Sequence, residues 1–221
     1  GGEIGVAAAR VTTIPNFVLP VSIELEQENA PDLPGDAGRR IACVANLRPQ
    51  KDHINLLAAM AKVVEVHPDA HALLIGAPID RPLEASIIER VSSLGLDENV
   101  TLLGARSDVS TILAGCDVGV LSSRSEGFPL ALLDYGRAGL AVVATDVGEC
   151  REILDSGRAG RLVAPGDADA LADALCGLLG EPTAAAALGA ELRRRVESRY
   201  SIDAVMDRVE HIYDTILDVR R

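Results

Sequence analysis

The sequence predicts a doubly wound α/β fold, in which a parallel sheet carries helices on both faces. From Arg39 onward, short apolar runs alternate with longer segments whose apolar residues recur at helical spacing. Apolar residues make up 48% of the chain, mostly as Ala, Leu and Val, but aromatic residues only 2%. So few rings suit a core of Val-rich strands and Ala- and Leu-rich helices. At 221 residues the chain is long enough to form one domain with a complete core.

The first 38 residues differ from the rest and are predicted to be a connector. Proline at the density found here excludes both a helix and a central strand. The chain also begins with Gly1-Gly2 and no initiating Met, so we expect a fragment of a longer protein. The connector contains Ile14-Pro15-Asn16, Pro20, Pro31, Pro34, Gly35 and Gly38.

Six short, largely apolar runs after the connector predict buried strands, because parallel strands covered on both faces lack polar alternation. Gly76 directly after the second run, and polar residues after the fourth, mark the turns into the next helices. In chain order, the predicted strands are residues 41–45, 70–75, 100–103, 118–121, 141–145 and 161–163.

Segments with apolar residues three and four apart predict the helices between and after these strands. The first shows this spacing from Leu56 to Val64. Ser107 and Asp167 are suitable N-caps for two others, and Pro129 suits the first position of a third. In chain order, the predicted helices are residues 51–67, 83–94, 107–114, 130–138, 167–179, 183–198 and 202–220.

The composition excludes several classes of partner. A net charge of −12 argues against nucleic acid or an anionic membrane over a broad surface, so an anionic ligand would need a few local cations. No apolar run approaches the ~18 residues of a membrane span. The cysteines lie in or near apolar segments with no CxxC or metal spacing, which predicts reduced, buried thiols in a cytosolic protein. They are Cys43, Cys116, Cys150 and Cys176.

The most informative stretch runs from Ser122 to Asp134, where a strand passes through Glu126-Gly127-Phe128-Pro129 into an apolar helix. Glycine lets a ligand or another backbone approach closely. The free N–H groups at the helix start favour a phosphate. Glu126 would repel phosphate but can accept hydrogen bonds from sugar hydroxyls, or else cap the helix. The stretch therefore suggests a ligand that is anionic at one end and hydroxylated at the other, such as a nucleotide-sugar.

Other loops that follow strands are expected at the same edge of the sheet. Arg48 and Lys51 after the first strand could clamp a diphosphate, or be solvated loop charges. Gly104-Ala105-Arg106 after the third strand could place backbone groups against a base. Asp134 could accept both ribose hydroxyls, or else interact with the helix dipole.

Familiar nucleotide and nucleophile signatures are absent from the sequence. It contains no GxGxxG after the first strand, no GxxxxGK and no GxSxG. The histidines, which include His211, are scattered and predict no metal cluster. His67 and His71 are expected at the surface or at a strand edge, whereas His53, close to Lys51, is a weaker candidate to line the site.

Taken in order, several motifs resemble the carboxyl-terminal half of GT-B glycosyltransferases, specifically the large retaining group called family 4 or group 1. This implies a Rossmann-like domain that binds a nucleotide-diphosphate sugar without a metal cofactor. It also implies an absent N-terminal domain, which binds the acceptor and to which residues 201–221 would cross back. The motifs are Ile14-Pro15-Asn16, residues 46–51, Leu103-Gly104, residues 126–134, residues 141–148 and residues 160–167.

The resemblance implies a role for each candidate residue. Lys51, with a nearby Arg, would bind the diphosphate and offset charge on the departing nucleotide. Glu126 would contact the donor sugar, and Asp134 would hold the ribose. The candidate catalytic residues are Lys51, Arg48 and Glu126, and the candidate nucleotide-sugar-binding residues are Gly104, Arg106, Gly127, Phe128, Pro129, Leu130 and Asp134.

Three positions depart from the family pattern. The family Arg lies five residues before the Lys, where this chain has Asn46, and Arg48 is the candidate substitute. The second acid is Asp134 instead of Glu, which is one methylene shorter. The usual Gly-Gly after the fifth strand is Gly148-Glu149, which places an acid near the donor sugar.

The resemblance predicts transfer of a sugar, with retention of configuration, to a glycan, lipid or small-molecule acceptor. It predicts a cytoplasmic enzyme whose full-length form can be peripheral at the inner membrane. Residues 1–38 would be the inter-domain connector and residues 39–200 the donor-binding domain, which alone would bind nucleotide without efficient transfer. A non-catalytic nucleotide-sugar-binding module and a sugar-nucleotide epimerase of the same fold remain alternatives.

Overall fold

A computed structural model of the chain describes residues 11–18 and 32–218. Within these ranges, strands and helices alternate as the apolar runs and helical spacing predict. In chain order they are β1 (Arg40–Val44), α1 (His53–Val66), β2 (His71–Ile75), α2 (Arg81–Ser93), β3 (Val100–Gly104), α3 (Val109–Ala114), β4 (Val118–Leu121), α4 (Leu130–Ala138), β5 (Ala141–Thr145), α5 (Cys150–Ile153), β6 (Arg161–Val163), α6 (Ala168–Gly180), α7 (Pro182–Arg199) and α8 (Ile202–Asp218).

The described strands form one parallel sheet in the order β3-β2-β1-β4-β5-β6. From β1 the chain first builds outward through β2 and β3, then returns to pair β4 against the other side of β1. This reversal lies between β1 and β4, and in sheets of this type ligands bind outside the carboxyl ends of the strands at such a point. The predicted doubly wound parallel sheet is confirmed.

Alternate residues of each strand pack against helices on opposite faces, which produces two hydrophobic cores. On one face, Ile41 and Cys43 of β1 pack with residues of α1, α2 and α6. On the other face, Ala42 of β1 and Val142 of β5 pack with residues of α3, α4, α5 and α7. The central strands are therefore buried on both sides, which explains their largely apolar sequences.

The largest local departure from the sequence-based elements lies just after β1. The helix predicted from residue 51 begins instead as a 3-10 turn over Pro49–Lys51, and α1 starts only at His53. Asp52 between them has a left-handed backbone (φ 48°, ψ 48°), and its carboxylate accepts from the Asn55 N–H. The turn separates the backbone of Lys51 from the helix.

One of the predicted helix starts is confirmed, and two differ from their predictions. Asp167 caps α6 as predicted, by accepting from the Ala170 N–H at 2.9 Å. The prediction that Ser107 caps the next helix is wrong, because Asp108 is the residue before α3. Pro129 is the N-cap of α4 and not its first helical residue. The short α5 was not predicted, because four residues are too few to show helical periodicity.

The last helix and the described part of the connector lie together. The Val18 N–H donates to the C=O of Tyr200 at 2.9 Å, and Val18 pairs with Ser201 as an isolated bridge. Beyond Val205, which is buried, the apolar residues of α8 are largely exposed; Met206, Tyr213 and Ile216 are 44%, 64% and 49% accessible. Predictions that concern Gly1-Gly2, prolines 20 and 31 and residues 219–220 lie outside the described residues.

Burial of the cysteines agrees with their predicted reduced state, but one histidine does not follow its prediction. Cys43, Cys116 and Cys150 are buried free thiols, and Cys176 is half-buried. His71 is 7% exposed in the inner strand β2, where its ring bonds to the Thr101 hydroxyl, so it is not at the surface or on an edge strand.

In the described part of the chain, no single helix has both the length and the apolar character needed to cross a membrane. The pair α6 and α7, which meet at a 105° bend, passes that test of length and composition only as a pair.

Candidate functional site

A cavity of about 480 Å³ lies at the carboxyl ends of the inner strands, beside the reversal between β1 and β4. Most of the candidate site residues line it, although they come from three separate loops and from α4. Gly104 and Gly127 adjoin the cavity without lining it. The lining residues are Val44, Ala45, Asn46, Arg48, Lys51, Ile75, Gly76, Ala77, Ala105, Arg106, Val109, Glu126, Phe128, Pro129, Leu130, Ala131 and Asp134.

Two cations reach the cavity from the loop after β1. Arg48 is the exposed residue before the 3-10 turn, and among the described residues its guanidinium forms no ion pair or hydrogen bond. Lys51, at the end of the turn, is 25% exposed at its side chain. The 3-10 turn therefore brings both cations to the rim of one cavity, as two cations that clamp a diphosphate require.

Lys51 is bonded to the candidate sugar-binding acid. Its ammonium lies 2.5 Å from Oε1 of Glu126, which also accepts from the Ser123 hydroxyl at 2.6 Å. The Glu126 side chain is 9% exposed, so this pair is shielded from solvent on the carboxylate side. Glu126 is thus engaged with Lys51, and it does not cap α4, for which the structure shows no side-chain cap.

The start of α4 supplies amide donors to the cavity. With no capping side chain and no acidic residue in its first turn, the helix presents its first N–H groups uncompensated. Leu130 and Ala131 at this end line the cavity, and Leu130 is 51% exposed. A phosphate here would meet both the free amides and the positive end of the helix.

The loop after β5 packs directly on the Glu126-Gly127 backbone. Gly148 has φ +52°, and a Cβ there would lie 2.2 Å from the Glu126 carbonyl oxygen, so only glycine fits. The Glu149 N–H donates to the C=O of Gly127 at 3.1 Å. Glu149 itself is exposed. The unusual acid of this loop therefore sits beside the turn that carries Glu126.

Asp134, one turn into α4, lines the cavity from below the helix start. Burial raises the pKa of its carboxyl above the ordinary value, and Arg137, at 3.9 Å, acts in the opposite direction. Hydroxyl groups that donated to this carboxylate would favour its ionised form. The Asp134 carboxyl group therefore lies where a ligand in the cavity could reach it.

Arg106 lines the cavity, but its guanidinium is already bound. It forms two parallel hydrogen bonds to Asp108, at 2.8 and 2.5 Å, and these lower the pKa of that carboxyl. The guanidinium is thus paired within its own loop. Gly104, at the end of β3, has φ +68° and accepts from the Gly76 N–H at 2.9 Å, so its backbone is engaged within the sheet.

Residues at the end of β2 also line the cavity and were not among the predicted site residues. Ile75, Gly76 and Ala77 lie beside the loop after β1. A Cβ on Gly76 would lie 2.1 Å from the Ala45 carbonyl oxygen, so glycine permits this close approach. Asn46, at the position where the resemblance predicts an Arg, accepts from the Ala77 N–H at 2.8 Å through Oδ1. The sequence signal that could have predicted this part of the cavity lining was a glycine, Gly76, directly after an apolar run.

His53, the histidine candidate for the site, takes no part in the cavity. His53 is 1% exposed and does not line it, and burial lowers its pKa to about 4, so the ring is neutral. Burial raises the pKa of the nearby Cys43 thiol to about 12. In residues 11–18 and 32–218, no three His, Cys, Asp or Glu side chains come together in a way that could hold a metal ion.

Comparison with known proteins gives one family match and many relatives. The family model described as glycosyl transferases group 1 matches residues 38–181, more than half of the chain. An exopolysaccharide phosphotransferase of Streptomyces coelicolor is 28% identical over 220 residues, which are 99% of this chain and 22% of that protein. A phosphatidyl-myo-inositol mannosyltransferase of Mycolicibacterium smegmatis is 33% identical over 171 residues, 76% of this chain and 42% of that protein. The chain spans less than two thirds of these relatives.

Solved structures share the fold. The C-terminal domain of a group 1 family glycosyl transferase (LpcC) from Francisella tularensis aligns with a TM-score of 0.71 at 24% identity, over 84% of this chain and 96% of that one. HepE from Anabaena, solved in complex with UDP, aligns with a TM-score of 0.75 at 21% identity, over 81% and 49%. At these identities the likeness shows a common Rossmann-like GT-B architecture.

Proposed function

The chain belongs to the group 1 family of glycosyl transferases, and we propose that it is the donor-binding, carboxyl-terminal domain of a retaining GT-B glycosyltransferase. The observation that carries this proposal is the convergence of Arg48, Lys51, Glu126 and Asp134 on one cavity at the start of α4. The cavity combines cations and free helix amides with carboxylates, as a ligand with a diphosphate and several hydroxyls requires. The UDP complex of a protein with the same fold supports a nucleotide-diphosphate sugar.

Each group has a distinct role in the proposed reaction. Lys51, Arg48 and the start of α4 offset the negative charge that develops on the nucleoside diphosphate as the sugar–oxygen bond breaks. Glu126 accepts hydrogen bonds from the sugar, and Asp134 from the ribose. The backbone from Gly127 to Pro129 lies along the phosphates, and the free amides of Phe128 and Leu130 donate to them.

The base would be held largely by backbone groups near Gly104 and Ala105, because Arg106 is bound to Asp108. Arg48 would take the part of the family Arg, since it lines the cavity whereas Asn46 is bonded to Ala77.

The remaining parts of the reaction would depend on a second domain. We propose that the connector and α8 lead to an N-terminal domain that binds the acceptor, a glycan, lipid or small molecule. The exposed apolar side chains of α8 support this, because that face has no partner among the described residues that would cover it. The proposed enzyme is cytoplasmic and needs no metal ion.

A melting experiment tests the donor site. UDP and GDP, each at millimolar concentration, are added to the chain, and the nucleotide that binds should raise the melting temperature, since a ligand at 100 times its Kd stabilises by about 2.7 kcal/mol. Lys51→Ala should remove most of this rise, and EDTA should not alter it.

Lys62→Ala, which removes an exposed lysine of α1, is the matched control and should keep the rise. A chain that neither nucleotide stabilises would overturn the proposal.

An assay of the full-length protein with a panel of nucleotide-sugars distinguishes the proposed transferase from a non-catalytic binding module and from an epimerase. The presence of Asn46 and Glu149 at family Arg and Gly positions is the observation in favour of the binding module. Transfer to an acceptor supports the proposed enzyme. Binding without turnover supports the module, and epimerised donor supports an epimerase.

A further inference from the structure

Three hydrogen bonds, in addition to the pair of Lys51 and Glu126, join the loop that carries Lys51 to the loop after β4. The Arg124 N–H donates to the C=O of Gln50 at 2.8 Å, and the Ser122 hydroxyl donates to the C=O of Lys51 at 2.9 Å. The Arg124 Nε donates to Oδ2 of Asp52 at 2.6 Å. Lys51 and both of its neighbours are therefore tied to one short segment across the reversal in strand order.

Asp52 is the strained member of this arrangement. Its backbone is left-handed, a conformation that is unfavourable for a residue with a side chain. The residue is 6% exposed, and its two carboxylate oxygens are divided between the Asn55 N–H and the Arg124 guanidinium. The pair with Arg124 therefore stabilises both a buried charge and an unfavourable turn.

Arg124 itself has no direct place in the cavity. Its side chain is 68% exposed and is not among those that line the cavity, whereas Lys51, one residue before Asp52, is. Apart from long-range attraction by its charge, Arg124 can therefore affect a ligand in the cavity only through the Asp52 turn.

We infer that Arg124 is a positioning residue: its pair with Asp52 holds the left-handed turn that sets where the Lys51 ammonium lies. The inference rests on the proposed function, since it takes Lys51 as the group that binds the diphosphate. Without Arg124, the backbone at Asp52 leaves the left-handed conformation. The Lys51 ammonium is then no longer held in the position from which it contacts both Glu126 and the phosphates.

A double-mutant cycle between Arg124 and Asp52 tests this, with the Kd for UDP or GDP, whichever the wild-type chain binds, and the melting temperature as separate readouts. Arg124→Ala should weaken nucleotide binding about tenfold, within the range of couplings between contacting residues. Asp52→Gly keeps the left-handed turn accessible but removes the carboxylate. It should weaken binding to the same extent, and the double variant no further.

Arg193→Ala is the matched control, because it removes an exposed arginine from an ion pair on α7 and should leave the Kd unchanged. Arg124→Gln replaces the alanine variant if that variant fails to fold.

Equal loss from Arg124→Ala in the wild-type and Asp52→Gly backgrounds would mean that Arg124 attracts the anion directly, and would overturn the inference. A lowered melting temperature with an unchanged Kd would show a purely structural role and would also overturn it. If the wild-type chain binds neither UDP nor GDP, the proposed function fails first, so the two failures are distinguishable.

Discussion

At the scale of single residues, the ion pair between Lys51 and Glu126 should affect the relative affinity of the site for different ligands. A nucleoside diphosphate that binds Lys51 must compete with the Glu126 carboxylate, 2.5 Å away. The hydroxyls of a nucleotide-sugar would give Glu126 a partner in place of Lys51, whereas a nucleoside diphosphate would leave that carboxylate with only the Ser123 hydroxyl. The pair should therefore favour the intact donor over the nucleotide that remains after transfer.

Glu126→Gln should accordingly raise the affinity for UDP or GDP, whichever binds. The amide keeps an acceptor for the Ser123 hydroxyl but no longer attracts Lys51, so we expect about a tenfold lower Kd, the scale of a hydrogen bond to a charged group. Isothermal titration calorimetry measures this change. Glu197→Gln, which removes an acid from the exposed face of α7, controls for the altered net charge. An unchanged or higher Kd would contradict the prediction.

At the scale of elements, α4 joins the candidate site to the centre of the sheet through Tyr135. This side chain is fully buried. Its hydroxyl accepts from the Val44 N–H at 2.7 Å and donates to the C=O of Val120 at 3.0 Å. Its ring packs on Gly119, where a Cβ would lie 2.6 Å away. Tyr135 therefore connects β1 and β4 to the helix that carries Asp134.

Tyr135→Phe should lower the free energy of unfolding by about 1–3 kcal/mol, because the Val44 N–H loses its partner while the ring still fills its space. Urea denaturation measures the loss, which should shift the midpoint without altering the slope. Tyr213→Phe on the exposed face of α8 is the matched control and should change stability by less than about 0.5 kcal/mol. Equal stability of the two variants would show that the buried hydroxyl contributes nothing.

The elements themselves could be predicted from the sequence because apolar periodicity is a local property. The strand at 118–121 and the helix at 130–138 have the predicted bounds for this reason. The left-handed turn at Asp52 could not be predicted, since it depends on Arg124, 72 positions away. The bond from Lys51 to Glu126 joins residues 75 positions apart, and only the order of strands in the sheet brings them together.

At the scale of the whole molecule, the charge distribution explains why the cavity must be locally cationic. The chain carries a net charge of −12, so the proposed anionic donor would approach against the overall field. Arg48, Lys51 and the start of α4 oppose that field at the cavity. The acids Glu126 and Asp134 line the same cavity, which fits a ligand that carries hydroxyl groups as well as phosphates.

The 221-residue chain alone should therefore bind a nucleoside diphosphate but transfer sugar poorly. In the proposed enzyme the acceptor and the closure of the cleft come from a second domain, whereas the groups that hold the donor all lie between residues 48 and 134. Calorimetry with UDP and GDP measures the binding of a nucleoside diphosphate. Release of nucleotide from radiolabelled UDP- and GDP-sugars measures the rate of transfer.

The full-length protein under the same conditions is the control and should transfer sugar at least about 100-fold faster, since positioning of both reactants supplies much of an enzyme's rate. Equal rates for the two would mean that the chain holds a complete active site, and would contradict the division of roles between two domains.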